Sequence, residues 1–265
     1  MSGRLKVGLA TLHGTGDAAD YAKGAKSLVT TALDSVEWRL FPARVAFLFA
    51  TGSWCRTSNP LPAAVRYEFK ERLGYDVPLI GGSMALIYCS SDPDNPVVED
   101  GVVLVTICSP HFFATVSSMR RPHNEAAITR QQKLRYLAGS MEQEANVRIG
   151  ASAERFLVGF MPGIITDADG SRSYADAELH QEILEAFGCR YQFIGGSAAD
   201  GFMPNRGFQF ANDEWTGWST AKTADTMCRC WTESRPPPFS RNSRGGASSP
   251  LNGPSLVFHA ARITA

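Results

Sequence analysis

Leu79-Ile80-Gly81-Gly82-Ser83-Met84-Ala85 and Phe193-Ile194-Gly195-Gly196-Ser197-Ala198-Ala199 are two copies of one short sequence. Leu73-Gly74 stands four residues before the first copy, and Phe187-Gly188 four before the second. Gly81 and Gly195 lie 114 positions apart. A repeat at that distance marks a supersecondary unit present twice, so the core reads as two similar halves packed together. Working outward, each copy closes a strand that follows a glycine-ended helix. The expected fold is α/β: two tandem β-α-β-α-β-β-β halves with mixed sheets.

In the first half, Leu5 to Leu12 reads as a buried strand. His13-Gly14-Thr15-Gly16 makes a turn, and Asp17 opens a helix with Ala18, Ala22, Ala25, Val29, Leu33 and Val36 as its apolar stripe. Val45 to Ala50 is uniformly apolar and predicts a strand covered on both faces. Thr51 to Asn59 is a polar loop. Pro60 and Pro62 start a helix and Gly74 ends it. Met84 to Cys89 and Gly101 to Cys108 are further strands.

The second half replays this order. His111 to Met119 is a strand and Asn124 to Arg148 a long helix. Phe156 to Phe160 is a strand, Met161 to Ser173 a loop, and Asp176 to Phe187 a helix ended by Gly188. Tyr191 to Ile194, Gly207 to Ala211 and Trp215 to Ala221 are strands. The predicted boundaries are one domain over 1–224, with halves at about 5–109 and 110–221. Residues 225–265, rich in Pro, Ser, Arg and Gly, are expected to form a disordered low-complexity tail.

Composition narrows the function. The 265 residues are 44% hydrophobic and 20% charged, as in an ordinary globular protein. Lys plus Arg and Asp plus Glu both number 26, which argues against nucleic acid as a partner. No apolar run approaches membrane-spanning length, and no secretory signal is visible, so the expectation is a cytoplasmic protein without membrane contact. The six cysteines are scattered and lack paired metal-ligand spacing.

Four motifs bear on chemistry. Gly14-x-Gly16-x-x-Ala19 approaches a dinucleotide fingerprint, yet Asp17 would stand beside the phosphates, and the next strand supplies no acid for a ribose. A plain strand-to-helix turn is the better reading. Gly81-Gly82-Ser83-Met84-Ala85 approaches the serine nucleophile elbow, but an elbow leads into a helix and Ala85 to Tyr88 reads as strand. A serine hydrolase therefore stands only as an alternative. The favoured role for both Gly-Gly-Ser copies is a turn with positive-φ glycines whose amides and hydroxyl face a cleft between the halves. Asp200 follows the second copy where the first has Leu86, as expected if one half had taken on ligand contact.

The stretches Val7-Gly8-Leu9-Ala10-Thr11, Ile80-Gly81-Gly82-Ser83 with Asp100-Gly101-Val102-Val103, and Ile194 to Asp200 with Phe208-Gln209-Phe210-Ala211-Asn212 resemble the FIST N-terminal domain over about residues 5 to 221. The resemblance implies a non-catalytic sensory module of signal transduction that binds a small ligand such as an amino acid. Gly81, Gly82, Ser83, Gly195, Gly196, Ser197, Asp200 and Asn212 form the implied ligand set. No metal or cofactor is expected, with haem the one group left open by the resemblance. An interaction scaffold of the ubiquitin-ligase F-box type is the other alternative it implies, with a signalling or ubiquitin-ligase protein as partner.

Overall fold

The computed structural model describes residues 5–16, 20–54, 60–89, 96–120, 127–149, 155–162, 164–166, 172–188, 191–198, 208–212, 214–217 and 255–263. In chain order the elements are β1 (Lys6–His13), α1 (Tyr21–Asp34), β2 (Ala43–Thr51), a 3-10 turn (Gly52–Trp54), α2 (Leu61–Leu73), β3 (Leu79–Ser83), β4 (Ile87–Tyr88), β5 (Val97–Val98) and β6 (Gly101–Cys108). They continue with β7 (Phe112–Arg120), α3 (Ala127–Ile149), β8 (Arg155–Pro162), β9 (Ile164–Thr166), β10 (Arg172–Tyr174), α4 (Ala175–Phe187), β11 (Tyr191–Ala198), β12 (Phe208–Ala211), β13 (Glu214–Gly217) and β14 (Ser255–Ile263).

Two sheets carry the fold. The first has the order β1-β6-β2-β3-β12-β13 and the second β11-β8-β14-β7. In the first, β1 and β2 both run antiparallel to β6, and β3 runs parallel to β2. In the second, β7 and β8 both run antiparallel to β14, and β11 runs parallel to β8. The order and directions of β1-β6-β2-β3 are thus those of β7-β14-β8-β11.

Side-chain alternation on β2 shows how the layers stack. Ala46, Leu48 and Ala50 join Leu28, Val29 and Leu33 of α1 and Phe69 of α2 in one core. Val45, on the opposite face, joins Ile80 of β3, Phe112 and Ala114 of β7 and Phe160 of β8 in another. A third core packs Leu134 and Met141 of α3 and Ile183 and Phe187 of α4 against Leu157 of β8. The result is four layers: helices, sheet, sheet, helices. Between α3 and α4 lies a buried ion pair, in which Arg130 Nη2 and Nε donate to the two Glu182 carboxylate oxygens at 2.7 and 3.3 Å.

Helix ends follow local rules. Gly74 takes the left-handed conformation (φ 78°) after α2 and donates its N–H to Lys70 O at 2.8 Å. Gly188 does likewise after α4 (φ 70°). The stripe of α1 differs from the sequence reading: Ala22 is exposed, while Tyr21, Gly24, Ala25, Leu28, Val29, Ala32 and Leu33 are buried. Tyr21 sets that rotation by packing edge-on to Trp54, with ring centroids 5.3 Å apart. Asp17 lies outside the described residues.

Three other expectations are corrected. Met84 to Cys89 is not one long strand. Only Ile87 and Tyr88 pair, with β5, in a hairpin whose Ile87, Val98 and adjoining Cys89 cover Val103 of β6. The segment read as a loop after β8 contains the β9–β10 hairpin. Within the tail expected to be disordered, Ser255–Ile263 forms β14 and pairs along the whole of β7 and with five residues of β8. Without it the facing edges of β7 and β8 would carry unpaired backbone groups, and that demand overrides the local composition. Residues 218–254 and 264–265 lie outside the described residues.

Candidate functional site

Because β1, β2 and β3 run the same way, their C-terminal ends share one sheet edge with the starts of α1 and α2. Ligands of α/β sheets usually sit at such an edge. Here it is closed by a hydrogen-bonded knot. Ser53 donates its N–H and its hydroxyl to Asp100 Oδ1 at 2.9 and 2.8 Å. The same hydroxyl accepts the Gly16 N–H at 2.7 Å. Gly14 donates its N–H to Asp100 O at 2.8 Å, and Trp54 donates its indole N–H to Gly14 O at 2.7 Å. Trp54 is only 4% exposed. A Cβ on Gly16 would stand 2.6 Å from its ring, and one on Gly52 would stand 2.6 Å from Asp100 Oδ1. The turn after β1 is therefore built to admit an indole and to be tied to Asp100, not to cradle a phosphate.

The first Gly-Gly-Ser copy lies at the end of β3, between β2 and β12. Contrary to the sequence reading, Gly81, Gly82 and Ser83 are strand residues of β3, and neither glycine has a positive φ. Gly81 is glycine for another reason. A Cβ there would stand 1.8 Å from Leu48 O and 2.6 Å from Phe210 Cζ. Ser83 is wholly buried, and Met84 continues the ladder by donating to Ala50 O at 2.8 Å. A serine so placed is not presented to a substrate as an elbow nucleophile is.

The second copy shares the backbone form but not the burial. Gly195, Gly196 and Ser197 belong to β11, and a Cβ on Gly195 would stand 2.1 Å from Gly159 O of parallel β8. Ile80 is fully buried whereas Ile194 is 58% exposed, and Gly195 is exposed where Gly81 is buried. Asp200 lies outside the described residues.

Asn212 stands elsewhere. It joins β12 to β13 with a positive φ of 57°. Its N–H donates to Leu79 O at 2.6 Å, and its Oδ1 accepts the Leu79 N–H at 3.2 Å. Those bonds tie the hairpin to the start of β3, about 13 Å along the strand from Ser83. The structure thus keeps Gly81, Gly82 and Ser83 together on one sheet and Gly195, Gly196 and Ser197 on the other. The cleft expected between the halves is instead filled by the sheet-to-sheet core, where Phe49 and Phe160 pack edge-on with centroids 5.6 Å apart.

Ser53, Trp54 and Asp100 were missed as a unit by the sequence reading. The available signals were a tryptophan in a Gly/Ser loop directly after a strand and an Asp-Gly directly before one. A groove of about 270 Å³ beside α2 is lined by Ala63, Arg66, Tyr67, Lys70 and Asp76 and includes no residue of either glycine copy. No group of His, Cys, Asp or Glu among the described residues is arranged to hold a metal ion.

The model of the FIST N domain matches residues 44–221, from β2 through β13. The chain belongs to the FIST N-domain family. FIST domains are sensory domains of signal transduction. The matched span takes in both glycine copies. β1 and α1 precede it, yet they belong to the same body, since β1 pairs along β6 and α1 packs in the same core as β2. None of the curated proteins compared matches the chain. No helix among the described residues is long and apolar enough to cross a membrane.

Proposed function

We propose that this FIST domain senses a small molecule without transforming it, and that binding belongs to the second half. The ligand set is Gly195, Gly196 and Ser197 of β11 together with Asp200, which follows the strand in the sequence. One observation carries the assignment. The same Ile-Gly-Gly-Ser sequence is buried in the first half, where β12 lies along β3 and Phe210 stands against Gly81, but open at Ile194 and Gly195 in the second. The matching strand orders of the two sheets support a divergent duplication, in which one copy serves packing and the other contact with a ligand. On this reading Gly81, Gly82 and Ser83 are packing residues, and Asn212 fixes the β12 hairpin.

Asp200 supplies the one carboxylate that the first copy lacks, so the ligand carries a cationic group, as an amino acid does. Native mass spectrometry of gently purified protein, against the denatured mass, identifies a retained ligand, haem included. Titration of that ligand, or of a panel of amino acids, into Asp200→Asn then tests the contact. Loss of about tenfold or more in affinity with an unchanged fold is expected for a charged hydrogen bond. Equal affinity in the variant removes Asp200 from the site.

A further inference from the structure

α3 carries apolar side chains on two opposite faces. Leu134, Ala138 and Met141 pack into the core with α4 and β8. On the far side Ile128, Tyr136 and Val147 are 67%, 81% and 81% exposed. Gln132, Gly139 and Gln143 are exposed between them. At about 100° per residue these six positions share one sector roughly 100° wide, the width of an ordinary buried helix stripe. None of the six is charged. The exposed charges stand beside the sector, Arg135 and Glu142 along one flank and Lys133 along the other.

The stripe matches itself when reversed. Ile128 and Val147, Gln132 and Gln143, and Tyr136 and Gly139 are each centred on the same point, between Leu137 and Ala138. An isologous contact must be self-complementary, and this order of residues is.

We propose that α3 packs against α3 of a second copy of this chain, antiparallel about a twofold axis at that point. Tyr136 of each copy then lies over Gly139 of the other. A ring meets a backbone that has no side chain in the way, and it does so twice. Gln132 faces Gln143, whose amides can donate and accept in turn. Ile128 of each copy comes beside Val147 of the other and loses its contact with water. Arg135 and Glu142 of the two copies fall on the same flank, about 3 Å apart along the helices. Lys133 falls opposite Ser140, so no like charges meet on either flank. Glu142 already accepts from Arg155 at 2.9 Å, and a carboxylate has sites for a second donor. A parallel pair is disfavoured, because it would set Tyr136 against Tyr136 and Gly139 against Gly139. Two helices in contact over about 30 Å bury on the order of 1,000 Å², the low end for a specific interface, so the dimer is a weak one. The inference is independent of the ligand reading.

The test is sedimentation equilibrium of the full chain beside three variants. The wild type is expected to dimerise with Kd on the order of 100 μM. Gly139→Glu puts a carboxylate where the Tyr136 ring must lie and should weaken the dimer about a hundredfold. That variant should fold, since a Cβ at Gly139 meets nothing within 4 Å and glycine is a poor helix former. Circular dichroism should therefore show no loss of melting temperature. Arg135→Glu sets carboxylates opposite each other on one flank and should weaken the dimer about tenfold. Gln132→Cys combined with Gln143→Cys should give a covalent dimer on mild oxidation, with peptide masses showing residue 132 joined to residue 143. Those two positions lie about 16 Å apart within one helix, too far to join within a copy. A wild type that stays monomeric to about 1 mM overturns the proposal. So does a dimer indifferent to Gly139→Glu, or a cross-link of 132 to 132 in place of 132 to 143.

Discussion

Replacing Gly81 and Gly195 by alanine, one at a time, tests the central claim that one sequence does two jobs. At Gly81 the added methyl would meet Leu48 O at 1.8 Å, Leu48 C at 2.8 Å and Phe210 Cζ at 2.6 Å. Two of those atoms are backbone of the neighbouring strand, which no rotamer change can move. β3 is held on one side by β2 and on the other by β12, so it cannot slide away. Overpacking of this kind costs about 3 kcal/mol, the upper end of the usual range. At Gly195 the methyl meets Gly159 O at 2.1 Å, but β11 has a neighbour on one side only among the described residues and can move outward. About 1 kcal/mol is expected there. Urea unfolding followed by circular dichroism reads the difference as a larger drop in midpoint for Gly81→Ala at constant m. In a thermal melt, Gly81→Ala should lower Tm by roughly 10 °C and Gly195→Ala by a few degrees. Equal losses, or a larger loss at Gly195, would refute the view that the first copy is a packing device and the second an open edge.

Other outcomes are expected from the same packing. Trp54→Ala should cost about 3–5 kcal/mol in chemical denaturation, and Trp54→Phe only about 1 kcal/mol for the lost bond to Gly14 O. Asp100→Ala should cost about 1–3 kcal/mol, because the Ser53 N–H and hydroxyl lose their shared acceptor. Glu182→Leu should destabilise by about 3 kcal/mol by removing the carboxylate that accepts two hydrogen bonds from the buried Arg130 guanidinium, and Arg130→Met added to it should recover most of that loss. Burial pushes the Cys108 thiol up from 9.0 to about 11. The folded protein thus holds that proton more tightly than the unfolded chain. The resulting stabilisation, roughly 2–3 kcal/mol, is complete below pH 9 and lost as pH rises towards 11. Alkaline unfolding of Cys108→Ala should lack that component, and in the wild type the Cys108 thiol should resist alkylation at pH 8.

What could be read from the sequence was local. Val45 to Ala50 announced a strand buried on both faces, and the glycines at 74 and 188 announced helix ends through their left-handed backbone. The repeat placed both Gly-Gly-Ser copies after helices, where β3 and β11 stand. What escaped depended on distant partners. Ser53 and Asp100 are 47 residues apart in the chain. The space between the halves looked like a cleft until Val45 and Ile80 met Phe112 and Phe160 across it. The stripe of α1 turned on Tyr21 meeting Trp54, which no helical period reveals. Glycine was taken as a sign of backbone freedom, when at positions 81 and 195 it answers the closeness of a neighbouring carbonyl. Ser255–Ile263 was hidden by the Pro- and Ser-rich stretch before it, because only the gap between β7 and β8 shows that a strand is wanted there.

That gap has a consequence during synthesis. The ribosome makes β7 by residue 120, but its neighbour β14 does not begin until residue 255. The first sheet waits less long, since β6 arrives at residue 101, although its outer strand β12 follows only at residue 208. The nascent chain therefore exposes the facing edges of β7 and β8 while more than half of the protein already has partners. Over that interval, seconds at ordinary elongation rates, those edges are open to pairing with neighbouring chains on the same messenger, and slower elongation prolongs the exposure.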